Sequence, residues 1–178
     1  ENEIDTMAEE QNEIPGAAEA STEAGPRFQL QKIYVKDVSF EVPSAPEIFR
    51  EDGAAEIKLN LSQRVNNVQE GVFEVVLTVT VTATTADKTA YLAEVHQAGL
   101  FGIAGLEAAQ QQAVLNTLCP HTLFPHASKT ITSLVADGGF PPLVLQPINF
   151  EQVYQQRLQE AQAQQQQAQG DMEIQGNA

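Results

Sequence analysis

The 178-residue chain has few basic residues, one cysteine, no tryptophan and no long apolar run. The single cysteine, Cys119, excludes an intrachain disulfide framework. Nine Lys and Arg residues against 24 Asp and Glu residues give a net charge of −15, which argues against nucleic acid as a partner because a polyanion would be repelled. No apolar run approaches the roughly 20 residues of a bilayer-spanning helix, so we expect no direct membrane insertion.

The acidic excess is concentrated at the N-terminus, where the first 25 residues carry eight acidic and no basic side chains. This segment lacks apolar periodicity, so we expect residues 1–25 to form a disordered acidic tail. A low-complexity, Gln-rich end predicts a second disordered tail over residues 162–178. The predicted folded domain therefore spans residues 26–161.

The first half of this domain contains four segments in which apolar and polar residues alternate, as they do in half-buried strands. These segments are residues 28–42, 55–65, 72–84 and 89–97. Ile33 and Val35 interrupt the alternation of the first segment, which predicts a β-bulge near them. Short connections between the second, third and fourth segments predict antiparallel neighbours in a sheet with one packed and one solvated face.

The second half has helical spacing, which makes the fold class α+β. It predicts one helix over residues 106–118 that stops at Cys119, and a short helix over residues 127–136. Three prolines require residues 140–147 to be extended. Asn149 is then placed to cap a C-terminal helix.

The sequence contains little that indicates catalysis, since it has neither a glycine-rich phosphate loop nor a serine-hydrolase elbow. Cys119, His121 and His126 have the spacing C-x-H-x4-H, which leaves open a metal site or a Cys–His nucleophile. We favour a buried thiol beside two loop histidines, because zinc would need a fourth ligand and there is no other cysteine. We therefore expect neither an enzyme nor a metal cofactor.

Two other features leave alternatives open. Asp37 and Glu41 share a strand face about 13 Å apart, too far for a glycosidase pair, and form either a solvated face or a docking site for a basic partner.

The loops at residues 43–53 and 138–147 are rich in apolar side chains such as Phe49 and Phe140. Such loops either cap the core or bind a partner.

Four segments of the sequence are distinctive: IYVKDVSFEVPSAPEIF (33–49), YLAEVHQAGLFGIAGL (91–106), CPHTLFPHA (119–127) and GGFPPLVLQPINFEQVY (138–154). Together they resemble the SecB family of protein-export chaperones. The resemblance implies a SecB-like fold, in which a four-stranded antiparallel sheet packs on a long helix, with a shorter helix and a C-terminal helix. We expect the long helix to be residues 106–118.

The resemblance also implies a homotetramer built as a dimer of dimers. Paired sheets would form each dimer, and the dimers would stack through the long helices and the inner face of the fourth strand. The expected interface residues on that strand are Ala93, Val95 and Gln97.

The function implied by the resemblance is that of a cytoplasmic holdase that uses no ATP and no cofactor. It would bind unfolded secretory precursor proteins in an apolar groove and deliver them to the SecA motor at the translocon. The expected groove residues are Phe40, Phe49, Tyr91, Phe101, Phe124, Phe140, Leu143 and Phe150. The expected SecA-binding residues are Asp37, Glu41, Leu92 and Glu94.

Three alternatives remain beside this function. The chain could be a SecB-like chaperone for another client, such as a toxin–antitoxin pair. It could be an oligomeric structural module whose loops close over its core. The third alternative, an enzyme, depends on Cys119 and His121 alone.

Overall fold

The computed structural model describes residues 25–175, with side chains described up to residue 164, so nearly all of the predicted acidic tail lies outside the described residues. No helix among the described residues is long and apolar enough to cross a membrane. The elements in chain order are β1 (Arg27–Glu41), a short 3-10 helix (Glu47–Arg50), β2 (Glu56–Gln69), β3 (Val72–Thr85), β4 (Lys88–Ala104), α1 (Ala108–Asn116), α2 (Leu118–Asp137) and α3 (Phe150–Gln175).

The four strands form one antiparallel sheet in the order β1-β4-β3-β2, which confirms the four predicted strands. Strand β4 continues to Ala104, seven residues beyond its predicted end. Apolar and polar residues stop alternating there, because Ala98 and Gly99 are both buried although they lie on opposite faces of the sheet. Ala86 and Asp87 form the turn into β4 with positive φ angles, a geometry that matches the twist of paired strands.

Strand β1 carries two irregularities of register, between Leu30 and Lys32 and between Val35 and Asp37. They flank Ile33 and Val35, so the predicted bulge is confirmed, and a second one accompanies it. Each extra residue reverses the alternation of faces. Ile33 and Val35 consequently pair with Gly99 and Gln97 on the inner face of the sheet.

The helix that packs on the sheet is α2, so the prediction that residues 106–118 form this helix is wrong. The predicted stop at Cys119 is in fact the first turn of α2, which runs for 20 residues. Pro120 is compatible with this position because the first N–H groups of a helix have no intrahelical partner. Pro125 lies inside the same helix, which the sequence pattern did not predict.

Helix α2 packs on the inner face of the sheet through one residue in every four. Its fully buried residues at this spacing are Cys119, Leu123, Ala127, Ile131 and Val135. Positions four apart lie on one side of an α-helix, and this side faces β4 and β3. Gly99 permits the contact, because a Cβ there would lie 3.0 Å from Cδ2 of Leu123 and 2.7 Å from the ring of Phe101.

Helix α3 begins as predicted, because Oδ1 of Asn149 accepts a hydrogen bond of 3.0 Å from the backbone N–H of Gln152. Residues 141–149, which precede it, form neither helix nor strand, and the extended backbone expected for residues 140–147 stays a prediction. The backbone helix continues to Gln175, beyond the expected domain boundary at residue 161. The division of the chain at that residue stays a prediction.

We predict that Leu123→Ala lowers the free energy of unfolding by about 3 kcal/mol, because it leaves a cavity between α2 and β4. Chemical denaturation at a fixed protein concentration measures the change. Leu118→Ala is the matched control, since this leucine on the same helix is 41% exposed and its loss should cost less than about 1 kcal/mol. Equal losses from both variants would contradict the packing described for α2.

Candidate functional site

The face of the sheet opposite α2, which we call the outer face, is predominantly polar. The strand register places residues of β1, β4 and β3 side by side on this face in three rows. The rows are Glu41–Leu92–Thr82, Ser39–Glu94–Thr80 and Asp37–His96–Thr78. The four predicted SecA-binding residues therefore lie together across two neighbouring strands, and we call them the acidic patch.

Glu94 is fixed in the acidic patch by two side-chain hydrogen bonds. Its Oε1 lies 2.9 Å from Nε2 of His96, and its Oε2 accepts a bond of 2.7 Å from the hydroxyl of Thr80. These bonds, that from His96 first, hold the pKa of Glu94 below its ordinary value. The carboxylate is thus ionised and oriented. His96 was not predicted as a site residue.

A second carboxylate, Glu74 of β3, joins three strands on the same face. It accepts bonds of 2.7 and 2.9 Å from Nζ of Lys36, one of 2.8 Å from Nδ2 of Asn66, and one from the hydroxyl of Tyr34. Lys36 and Tyr34 reach it from β1, across β4, where the buried Ala98 leaves room. These bonds lower the pKa of Glu74 to about 2, and the bond to Glu74 raises that of Tyr34 to about 12.

Four of the eight predicted groove residues form a continuous chain of rings, which we call the aromatic row. The ring centroids are 5.8 Å apart for Phe40 and Tyr91, 4.9 Å for Tyr91 and Phe140, and 5.2 Å for Phe140 and Phe49. These rings join β1 and β4 to the two predicted apolar loops. Phe49 is 52% exposed, which gives the row an accessible end, and Phe40 and Phe140 are half-buried. Tyr91 is 4% exposed and belongs to the core, so it supports the neighbouring rings and offers little surface itself.

The other four groove candidates lie outside the aromatic row. Phe101 is fully buried against Phe28, so it has no surface to offer to a bound chain. Phe124 and Phe150 form an edge-on pair between α2 and α3, with centroids 5.9 Å apart. Leu143 is half-buried, and its carbonyl accepts a hydrogen bond of 2.6 Å from Thr132 of α2.

Gly138, at the end of α2, makes room for the aromatic row and was not predicted as a site residue. A Cβ at this position would lie 2.3 Å from two ring carbons of Phe40, closer than any real contact. Its φ of −72° is open to any residue, so space rather than conformation requires glycine here. The adjacent Gly139 has a φ of +86°, which explains the second glycine.

Two clefts of about 480 and 490 Å³ lie between α2 and the segment before α3. His121, Pro147 and Ile148 line both of them. Phe124 lines one cleft and Phe150 lines the other. Sequence reasoning missed these clefts because they depend on how the segment lies along α2.

The three predicted interface residues of β4 are buried within the chain itself. Ala93 and Val95 belong to the core, and Gln97 donates a hydrogen bond of 2.8 Å to the backbone carbonyl of Tyr34. Side chains without exposed surface cannot contact a second copy of the chain. Their position therefore gives no support to the interface predicted for them.

Cys119 is a buried thiol, and burial raises its pKa to about 12. His121 and His126 are exposed on α2, so their predicted location in a loop is wrong. The part of the chain that the structure describes contains no cluster of three or more His, Cys, Asp or Glu residues that could hold a metal ion. A protonated, enclosed thiol is a poor nucleophile, which removes the basis of the Cys–His alternative.

Comparison with known proteins links this geometry to a family. Residues 21–161 match the family described as preprotein translocase subunit SecB. The chain is 51% identical over 144 residues to the protein-export protein SecB of Xanthomonas campestris pv. campestris (strain 8004), covering 81% of this chain and 85% of that protein. It is 49% identical over 151 residues to the protein of the same description from Xylella fastidiosa (strain 9a5c), covering 84% and 88%.

A solved structure shares the fold. The SecB-like chaperone of Mycobacterium tuberculosis, in complex with a peptide from the HigA1 antitoxin, has a TM-score of 0.58 and 19% identity, and the match covers 68% of this chain and 91% of that one. The SecB-like α+β fold class is thereby confirmed.

We predict that Glu74→Gln weakens the acid dependence of stability. The pKa of Glu74 is lower in the folded chain than its ordinary value of 4.5, so its contribution is complete above pH 4.5 and is lost as the pH falls to about 2. Over that interval the free energy of unfolding should fall less in Glu74→Gln than in the wild type. Denaturant titrations at several pH values measure this, with the exposed Glu56→Gln as control. A wild-type pH profile in Glu74→Gln would refute the assignment.

Proposed function

Because the chain belongs to the SecB family of protein-export chaperones, which is not an enzyme family, we propose that it is an ATP-independent holdase of the cytoplasm. It binds unfolded secretory precursors, keeps them competent for translocation and delivers them to the SecA motor. The observation that carries this proposal is the aromatic row, which collects four rings from separate segments and leaves Phe49 accessible.

The aromatic row provides selectivity for unfolded chains. Such chains expose apolar and aromatic side chains that a folded protein buries, and these side chains gain free energy by leaving water on an apolar surface. A protein that binds the unfolded state and not the native state shifts the folding equilibrium towards the unfolded state by mass action. This mechanism needs no nucleotide.

The acidic patch provides the contact with SecA that delivery of the precursor requires. Asp37, Glu41 and Glu94 present three carboxylates around the half-buried Leu92 on one side of the outer face. A basic segment of SecA would be attracted to the carboxylates, and Leu92 would supply an apolar contact. Similarity near 50% to protein-export relatives favours this partner over an antitoxin client.

Assembly into a homotetramer is part of the same proposal. Both edge strands carry large exposed apolar side chains, which a monomer would leave in water. On β1 these are Phe28, Leu30, Val35 and Val38, and on β2 they are Ile57, Leu59, Val65 and Val68. Pairing of sheets through an edge would satisfy unpaired backbone groups, and stacking of two such dimers would cover these side chains.

We predict that Phe49→Ser combined with Phe140→Ser lowers the affinity for an unfolded precursor at least about tenfold, because the aromatic row loses two adjacent rings. Titration of a slow-folding precursor, monitored by its delayed refolding, measures the affinity. Leu158→Ser is the control, since this exposed residue lies on α3, outside the aromatic row and the edge strands. Native mass measurement checks that each variant keeps the assembly of the wild type. Undiminished affinity in an intact assembly would reject the role of the row.

We predict that Asp37→Ala combined with Glu94→Ala weakens SecA binding about three- to tenfold and leaves precursor binding intact. Added salt should weaken the wild-type complex, because exposed charges are screened. Glu56→Ala with Glu70→Ala removes the same charge elsewhere and should bind SecA as the wild type does. Equal loss in both double variants would mean that net charge, and not the acidic patch, governs binding.

A further inference from the structure

His96 occupies a position inside the acidic patch. Its Nε2 lies 2.9 Å from Oε1 of Glu94, and its register partner across the strands is Asp37. Its side chain is 31% exposed, so solvent and a docked partner both have access to it. The residue thus stands between two of the carboxylates to which the proposed function assigns the docking of a basic segment.

The hydrogen bonds of His96 are compatible with either charge state of the ring. Nε2–H can donate to Glu94 whether the imidazole is neutral or protonated. Nδ1 lies 3.4 Å from the hydroxyl of Thr78, which donates to a neutral ring and accepts from a protonated one. A proton can therefore be added without rearranging the sheet, and its consequence is a change of charge.

His96 is surrounded by charged groups, so an added positive charge on its ring alters the electrostatics of the acidic patch. It lines a shallow cleft of about 230 Å³ with Asp37 and the bulged Lys36 of β1 and with Arg64 of β2. The residues of β3 in the cleft, Val76 and Thr78, are uncharged. Lys and Arg keep their charge near neutral pH and carboxylates ordinarily titrate below pH 5, whereas imidazole titrates between pH 5 and 8.

We propose that His96 is a further binding residue of the acidic patch, and that its charge sets the affinity for the basic partner. When neutral, it orients Glu94 and leaves the three carboxylates uncompensated. When protonated, it cancels one of the three negative charges and presents a cation to a cationic segment. Acidification would then weaken binding of the partner while the aromatic row, on the inner face, keeps its client.

The neighbouring carboxylates are close enough to His96 for its charge to change the affinity for a basic partner. Neighbouring residues on one face of a strand are about 7 Å apart, and paired residues of adjacent strands about 5 Å apart. Both lie within the screening length of about 8 Å at physiological ionic strength. One exposed charge in such a site changes an association constant about two- to fivefold. The inference rests on the proposed docking at the acidic patch.

The test compares SecA binding by the wild type and by His96→Gln at about pH 7.5 and about pH 5.5, either side of the range of imidazole. Titration of SecA itself affects both proteins equally, so the ratio of their affinities isolates His96. We expect the wild type to lose about two- to fivefold more affinity on acidification than His96→Gln loses. His96→Lys, which carries a permanent charge, should bind at about pH 7.5 about two- to fivefold more weakly than the wild type does at the same pH.

The double variant Asp37→Ala with Glu94→Ala distinguishes a failure of the proposed docking site from a failure of the role proposed for His96. If this variant binds SecA at about pH 7.5 as well as the wild type does, docking at the acidic patch is wrong. If it binds weakly, but the wild type and His96→Gln respond equally to acid, docking stands and the role of His96 is overturned. Precursor affinity should be unchanged in His96→Gln and His96→Lys, and a loss there would attribute the effect to a damaged fold.

Discussion

Helix α2 crosses the inner face of β4 and β3 with a buried residue at every fourth position, and this contact determines what the two faces of the sheet can do. Helix α2 covers the middle of the inner face, so the central strands β3 and β4 carry valine, leucine and alanine there that are shielded from water. The outer face has no helix among the described elements packed on it, and its positions are occupied by threonines and charged residues. Gly99 also lies in this contact, because a Cβ there would collide with the side chains of Phe101 and Leu123.

The end of α2 links this core to the aromatic row. Gly138 ends the helix against the ring of Phe40, so the position of the helix fixes where that ring can lie. Phe140 follows two residues later and contacts Tyr91 and Phe49. The proposed client site is therefore held by the packing of the core, although two of its rings come from loops.

The outer face is organised by carboxylates that bond across strands. Glu74 ties β1, β2 and β3 together, and Glu94 is oriented by Thr80 and His96. The bulges of β1 decide which side chains take part, since they place Tyr34 and Lys36 within reach of Glu74. The two carboxylates have different roles. Glu74 is enclosed by its partners and stabilises the sheet, whereas Glu94 remains accessible to a second protein.

The existence of four strands, the bulge near Ile33, the cap at Asn149 and the parity that pairs Asp37 with Glu41 and Leu92 with Glu94 are all predictable from the sequence. These features are local, because period-two alternation and a capping side chain act over a few residues. Folding of the whole chain was needed to bring Asp37 and Glu94 to one face, to place Pro120 in the first turn of α2, and to enclose the side chains of Phe101 and Gln97. Those outcomes depend on residues far apart in the chain, and no local pattern records which distant side chain fills a given space.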